Sequence, residues 1–159
     1  MEDIADHPKV RAVEAALRAA GITPDVRVLE QTAPTAAAAA EQLGCPVAAI
    51  ANSLVFDADG APLLVLTSGA HRVDTAKLAA HLGLTRISRA TPDFVRTHTG
   101  QVIGGVAPLG HPAPIRTLID ATLEQHEPLW AAAGHPHTVF SATYAQLVAM
   151  TGGEPVAVN

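Results

Sequence analysis

The chain has 159 residues, of which 48% are hydrophobic, 16% charged and 3% aromatic, a composition that fits one globular domain with its own core and excludes disordered and fibrous classes. Its net charge of -5 argues against a general nucleic-acid or anionic-membrane binder, and a single cysteine, Cys45, excludes an internal disulfide, a zinc ribbon or a redox pair. No apolar run reaches the roughly 20 residues of a spanning helix, and the acidic start, Met1-Glu2-Asp3, is unlike a signal peptide, so a cytoplasmic protein with no membrane partner is expected.

In chain order, Asp6 is expected to cap a first helix, with Val10, Val13, Leu17 and Ala20 at helical spacing and Gly21 as its stop. Residues 26–29 read as a short strand. Thr35, the alanine run 36–40 and Gly44 predict a second helix with a cap at each end. Segments 50–56 and 62–67, joined by the turn Asp57-Ala58-Asp59-Gly60, predict a β-hairpin. Asp74 caps a helix over 75–82, and Thr91-Pro92-Asp93 opens another that runs to about His98.

The stretch 101–108 is apolar and interrupted by glycine, which predicts a bent strand, followed by a loop over 109–114. A strand over 115–119, a weak helix over 121–126, strands at 129–132 and 138–140 around a His135-Pro136-His137 turn, and a helix from near Ser141 to Met150 complete the chain. The expected class is α+β: a single domain, residues 1–159, with a mixed, curved, barrel-like sheet flanked by helices. No repeat or linker interrupts it.

Charge is unevenly spread. Residues 61–119 hold six basic and two acidic side chains, and Arg72, Lys77, Arg86, Arg89, Arg96 and Arg116 would suit a phosphate-bearing ligand if the fold gathered them; otherwise they are scattered, solvated cations. The phosphate loop, the dinucleotide GxGxxG, the GxSxG elbow and HExxH are all missing. The segment Gly104-Gly105-Val106-Ala107-Pro108-Leu109-Gly110 remains. Its glycines allow a sharp bend that brings backbone amides close to a ligand, where they stabilise charge developing on a carbonyl oxygen; the alternative is a plain bulge and turn. His135 and His137 suit a place beside a pocket better than a metal site, and Cys45 reads as buried and inert. Asp120 reads as a helix cap or as an acid–base group, and Trp130 and Tyr144 as core or pocket wall.

Three strings carry a resemblance: Ser53-Leu54-Val55-Phe56; Leu66-Thr67-Ser68-Gly69 with Val73-Asp74-Thr75-Ala76-Lys77-Leu78; and Thr99-Gly100-Gln101-Val102-Ile103-Gly104-Gly105-Val106-Ala107-Pro108-Leu109-Gly110. Together they resemble the YbaK/EbsC family, also called the prolyl-tRNA synthetase-associated domain. The resemblance implies hydrolysis in trans of the ester of mischarged aminoacyl-tRNA, with aminoacyl-tRNA as substrate, an aminoacyl-tRNA synthetase as delivering partner, and no cofactor or metal. It also implies that Gly104 to Pro108, matching the family's GxxxP loop, surround the ester. Asn52 falls where such deacylases usually carry a lysine, and near Val139 the cysteinyl-specific branch has an aspartate.

By this resemblance Asn52, Gly104 and Gly105 are the catalytic candidates. The substrate-binding candidates are Ser53, Thr67, Ser68, Gly69, His71, Thr99, Gly100, Val106, Ala107, Pro108, His135 and His137. Water or a group on the substrate attacks; no protein nucleophile is required. Two rival readings stand: a non-catalytic module that binds an aminoacyl-adenosine-like ligand or a protein, favoured by the loss of the lysine at Asn52, and a hydrolase of some small ester unrelated to tRNA.

Overall fold

The computed structural model describes residues 4–33 and 35–159. Five α-helices are described: α1 (Pro8–Ala19), α2 (Ala36–Leu43), α3 (Thr75–Leu82), α4 (Pro92–Thr99) and α5 (Tyr144–Thr151). Eight strands accompany them: β1 (Val26–Val28), β2 (Ala51–Ala58), β3 (Ala61–Ser68), β4 (Ile87–Arg89), β5 (Arg116–Asp120), β6 (Leu129–Ala132), β7 (Thr138–Ala142) and β8 (Glu154–Val156).

Local chemistry sets most boundaries. Thr35, Asp74, Thr91 and Thr143 each accept a backbone N–H of the first turn, and Gly44, Gly83, Gly100 and Gly152 end their helices in the left-handed region. The first cap departs from expectation: His7, not Asp6, caps α1, its Nδ1 accepting the Lys9 N–H. Proline at the next position explains this, because its fixed φ suits the first helical residue. Asp6 pairs instead with Arg11.

The β2–β3 hairpin is central. Its strands pair antiparallel from Ala51↔Ser68 to Ala58↔Ala61, so the turn is shorter than expected and closes on Asp59-Gly60. β4 pairs with β2 antiparallel, while β5 and then β8 add in parallel beyond β3. The resulting order is β4-β2-β3-β5-β8. A second sheet, β1-β7-β6, meets the first through a parallel bridge between Ile50 and Trp130. The mixed sheet expected from the sequence is therefore present, in two hydrogen-bonded pieces.

Leu63, Leu64, Val65 and Leu66 are all buried, which explains the unbroken apolar run of β3. Leu64 and Leu66 pack in one cluster with Val13 and Leu17 of α1 and Phe140 of β7; Leu63 and Val65 pack in another with Leu78 and Ala79 of α3. The two-residue period of the strand thus serves two cores, one on each face.

Three expectations are corrected. Residues 101–108 form no strand: the Gln101 side chain accepts the Ala107 N–H across the loop, and Gly104 takes φ +92, outside the extended region. Ala121–Gln125 is a 3-10 segment capped by Asp120, too short for an α-helix. The last helix starts at Tyr144, because the Thr143–Gln146 capping box fixes it there and leaves Ser141 in β7. Strands β4 and β8 were not foreseen.

Candidate active site

A cavity of about 430 Å3 opens between the start of α2, strand β2, the end of β4, strands β6 and β7, and the glycine loop. Most of its wall is apolar, with Ile50, Leu54, Val55, Phe56, Ile103 and Trp130 among the side chains that line it. Arg89 is the one formally charged side chain in the lining, and no carboxylate lines it among the described residues.

Asn52 and Ser53 line this cavity from β2, and Ile103, Gly104 and Val106 line it from the loop. The Ser53 hydroxyl is buried and, alone among buried side-chain polar atoms of the described residues, has no hydrogen-bond partner. A buried hydroxyl without a partner costs about 1–3 kcal/mol.

Backbone amides of the loop divide into two sets. The Gly105 N–H donates to the Val102 carbonyl at 3.0 Å, and the Ala107 N–H donates to the side chain of Gln101 at 2.7 Å. Those of Gly104 and Val106 donate to no acceptor among the described residues. The Gly104 and Val106 amides, like that of Ile103, are thus unpaired within the described protein, whereas Gly105 and Ala107 hold the loop in shape. Gln101, 2% exposed, is the positioning residue. His111 Nε2 donates to the Ala107 carbonyl at 2.8 Å, and burial, against the effect of that hydrogen bond, pushes the ring pKa below the ordinary imidazole value.

Gly105 is needed for close approach. A Cβ there would lie 2.9 Å from the His135 carbonyl carbon and 3.0 Å from its Cα, so the loop rests directly on the His135-Pro136 backbone. Thr99 is buried behind the loop, its hydroxyl donating to the Val95 carbonyl and accepting from the Gln101 N–H. Ala107 and Pro108 are buried and line neither described cavity.

Thr67, Ser68, Gly69 and His71 line neither cavity; Ser68 and His71 bond to Asp120. That carboxylate, 1% exposed, accepts from the Ser68 N–H, the Thr122 N–H and the Thr122 hydroxyl, and its Oδ2 lies 2.7 Å from His71 Nδ1. Burial raises its pKa, but the Thr122, Ser68 and His71 hydrogen bonds outweigh this and hold it below the ordinary carboxylate range. Asp120 thus clamps the end of β3 to the end of β5. The Gly69 N–H donates to the Ile50 carbonyl beside this clamp.

A second cavity, about 380 Å3, is lined by His7, Lys9, Thr32, Gly100, Gln101, Val102, Gly134, His135, Pro136 and His137. It brings together the predicted Gly100, His135 and His137. His7 and Lys9 were not foreseen; the signal was there in two basic side chains flanking the proline that opens a helix. Of the six central cations, Arg89 alone lines either cavity.

One largely apolar cavity is thus bordered by loop amides, an asparagine and a serine. Comparison with known proteins gives the class of the chain: residues 30–150 match the aminoacyl-tRNA editing domain, and the chain belongs to that family. It is 28% identical over 124 residues to the uncharacterized protein YwhH of Bacillus subtilis, covering 77% of this chain and 78% of that one. It is 32% identical over 81 residues to the proline–tRNA ligase of Levilactobacillus brevis, a match that takes in 51% of this chain but only 14% of the ligase. A solved structure of a candidate trans-editing enzyme for prolyl tRNA synthetase superposes with a TM-score of 0.90 at 37% identity, over 96% of this chain and 97% of the other. Among the described residues, no helix is long and apolar enough to cross a membrane.

Proposed function

We propose that the protein is a trans-editing deacylase that hydrolyses the ester of mischarged aminoacyl-tRNA, the aminoacyl group seated in the cavity beside β2. The observation that carries this reading is the convergence on one cavity of the unpaired Gly104 and Val106 amides, Asn52 and the unpartnered Ser53 hydroxyl. Amides fixed in advance cost no reorganisation when the carbonyl oxygen gains charge, and they act more strongly where apolar walls keep water out. The ester oxygen sits against Gly104 and Val106. Asn52 and Ser53 orient the terminal ribose and the amino group, and water, or a nucleophilic group of the substrate itself, attacks.

Asn52 replaces a full charge with a neutral amide that both donates and accepts, so here orientation takes the place of charge. A wall without a carboxylate gives the side chain of a basic amino acid no partner. A synthetase that forms the mischarged tRNA is the expected partner. The rival reading, a binding module without turnover, rests on the same asparagine.

The test is release of labelled amino acid from tRNAs mischarged with alanine, serine, threonine and cysteine, with Gly104→Val as control. At φ +92 a β-branched residue is strained, which displaces the amide. Turnover of one or more substrates that is lost in Gly104→Val supports the deacylase. No turnover by a folded protein supports the binding module.

A further inference from the structure

The second cavity differs from the first in chemistry. Its titratable lining groups are His7, Lys9, His135 and His137, and no carboxylate lines it among the described residues. The three rings form a chain, His7 to His135 at 5.0 Å and His135 to His137 at 5.6 Å between centroids.

Their hydrogen bonds fix which nitrogens are available. His7 Nδ1 accepts the Lys9 N–H, and His135 Nδ1 accepts the His137 N–H, so each neutral ring carries its proton on Nε2 and is a donor there. His137 Nδ1 lies 3.3 Å from the Leu29 carbonyl and donates to it. Two of the three rings thus have no free lone pair for a metal but each has an N–H for an anion. Lys9 is exposed and makes no ion pair with a described residue; its ammonium sits over Gly100, 3.6 Å from where a Cβ would stand. Gly134 lets the backbone at Lys9 approach: a Cβ there would lie 2.7 Å from the Lys9 carbonyl oxygen.

The two cavities are neighbours. Pro136 lines both, and the loop tip between them presents Ile103 to the first and Val102 to the second, at 58% and 47% exposure. Such an apolar ridge suits a nucleoside, which offers flat, weakly polar faces.

We propose that this second cavity is a phosphodiester subsite, in which Lys9, His7 and His135 hold the backbone of the 3′ strand of the tRNA while its terminal nucleoside crosses the Val102-Ile103 ridge and its acyl group enters the first cavity. The identity of the ligand rests on the editing reading; the anion chemistry does not. In a chain of net charge -5, this local cluster gives a polyanion a place to dock. Burial, then the charges of His7 and His137, push the His135 pKa down. The neutral ring is the form whose Nδ1 accepts the His137 N–H and whose Nε2–H is a donor, so binding an anion through it needs no proton uptake.

The experiment titrates the full chain with the unacylated trinucleotide CpCpA, with adenosine and with inorganic phosphate, reading the imidazole C–H signals of the three histidines by NMR and the Kd by calorimetry at several salt concentrations. CpCpA is expected to shift the rings of His7 and His135; adenosine should leave them in place. Lys9→Gln, at an exposed position, should weaken CpCpA binding and reduce the slope of log Kd against log salt by about 0.7, the value for one phosphate contact on a single strand. Absence of ring shifts with CpCpA at millimolar concentration, or an unchanged slope in Lys9→Gln, overturns the proposal. Equal shifts from inorganic phosphate and CpCpA at matched concentration overturn the assignment to a tRNA strand. If no mischarged tRNA is hydrolysed yet CpCpA still moves the rings, the editing reading fails and the subsite stands.

Discussion

Gly105→Ala tests whether the position of the loop, and not its mere presence, governs turnover. The added methyl meets the His135 carbonyl carbon at 2.9 Å, its Cα at 3.0 Å and Pro136 Cδ at 3.0 Å. Two of these are backbone atoms and the third belongs to a rigid ring, so no side chain can swing aside. The loop itself must move by a few tenths of an ångström or more. Overpacking of this kind costs about 1–3 kcal/mol. For a domain of this size each kcal/mol lowers the melting temperature by about 2–4 °C, giving a drop of roughly 2–12 °C.

Gly104 and Val106 flank the displaced residue, so their amides move with it. Loss of one well-placed donor to a developing oxyanion lowers kcat by about 10²–10³. The assay is single-turnover deacylation of the best mischarged substrate at saturating enzyme, beside a thermal melt. A fall in melting temperature with kcat unchanged would refute the role given to these amides, since the loop would have shifted without consequence. An unchanged melting temperature would refute the packing.

Ser53→Ala removes a buried hydroxyl that has no protein partner, so it is expected to leave stability unchanged or raise it by about 1 kcal/mol while weakening substrate binding several-fold; a loss of stability with unaltered KM would contradict this. Asn52→Lys restores a charge beside the acyl cavity: an inert parent that gains turnover supports the binding-module reading, whereas loss of turnover in an active parent shows that the asparagine belongs to a distinct site. Asp120→Ala leaves the Ser68 N–H and the His71 ring without their buried acceptor and should cost about 3–5 kcal/mol, measured by urea unfolding. Because the folded pKa of Asp120 is depressed, its contribution is complete above the unfolded value near about 3.9 and disappears as pH falls through the folded one. The wild type should therefore lose stability below about pH 4 more steeply than Asp120→Ala does, and parallel acid curves would refute the clamp.

Elements with local signals were legible in the sequence. The caps Thr35 and Asp74 with the stops Gly44 and Gly83 set two helices at both ends, and Thr91 set the start of a third, because a cap is chemistry between neighbours. β4 and β8 carry no such signal: each is three residues long and exists because an edge of the sheet is there to receive it. Residues 101–108 misled for a related reason. Apolar residues broken by glycine suit a bent strand and a ligand-binding loop equally well. What decides is the Gln101 side chain on the Ala107 amide, a contact six residues apart that spacing does not disclose.

The same limit shaped the reading of the site. Asn52, Ser53, Gly104 and Val106 do converge on one cavity, but Ser68, which belongs to the family strings, bonds to Asp120 instead, as does His71. A motif string marks residues that share a role in the fold without saying whether that role is contact with a ligand or support of a strand end. Hydrogen-bond satisfaction separates the two. Around Asp120 the Ser68 amide and the Thr122 amide and hydroxyl all have protein partners, which describes a structural clamp. At the cavity beside β2 a hydroxyl and loop amides lack protein partners, and it is on that difference that the proposed acyl site rests.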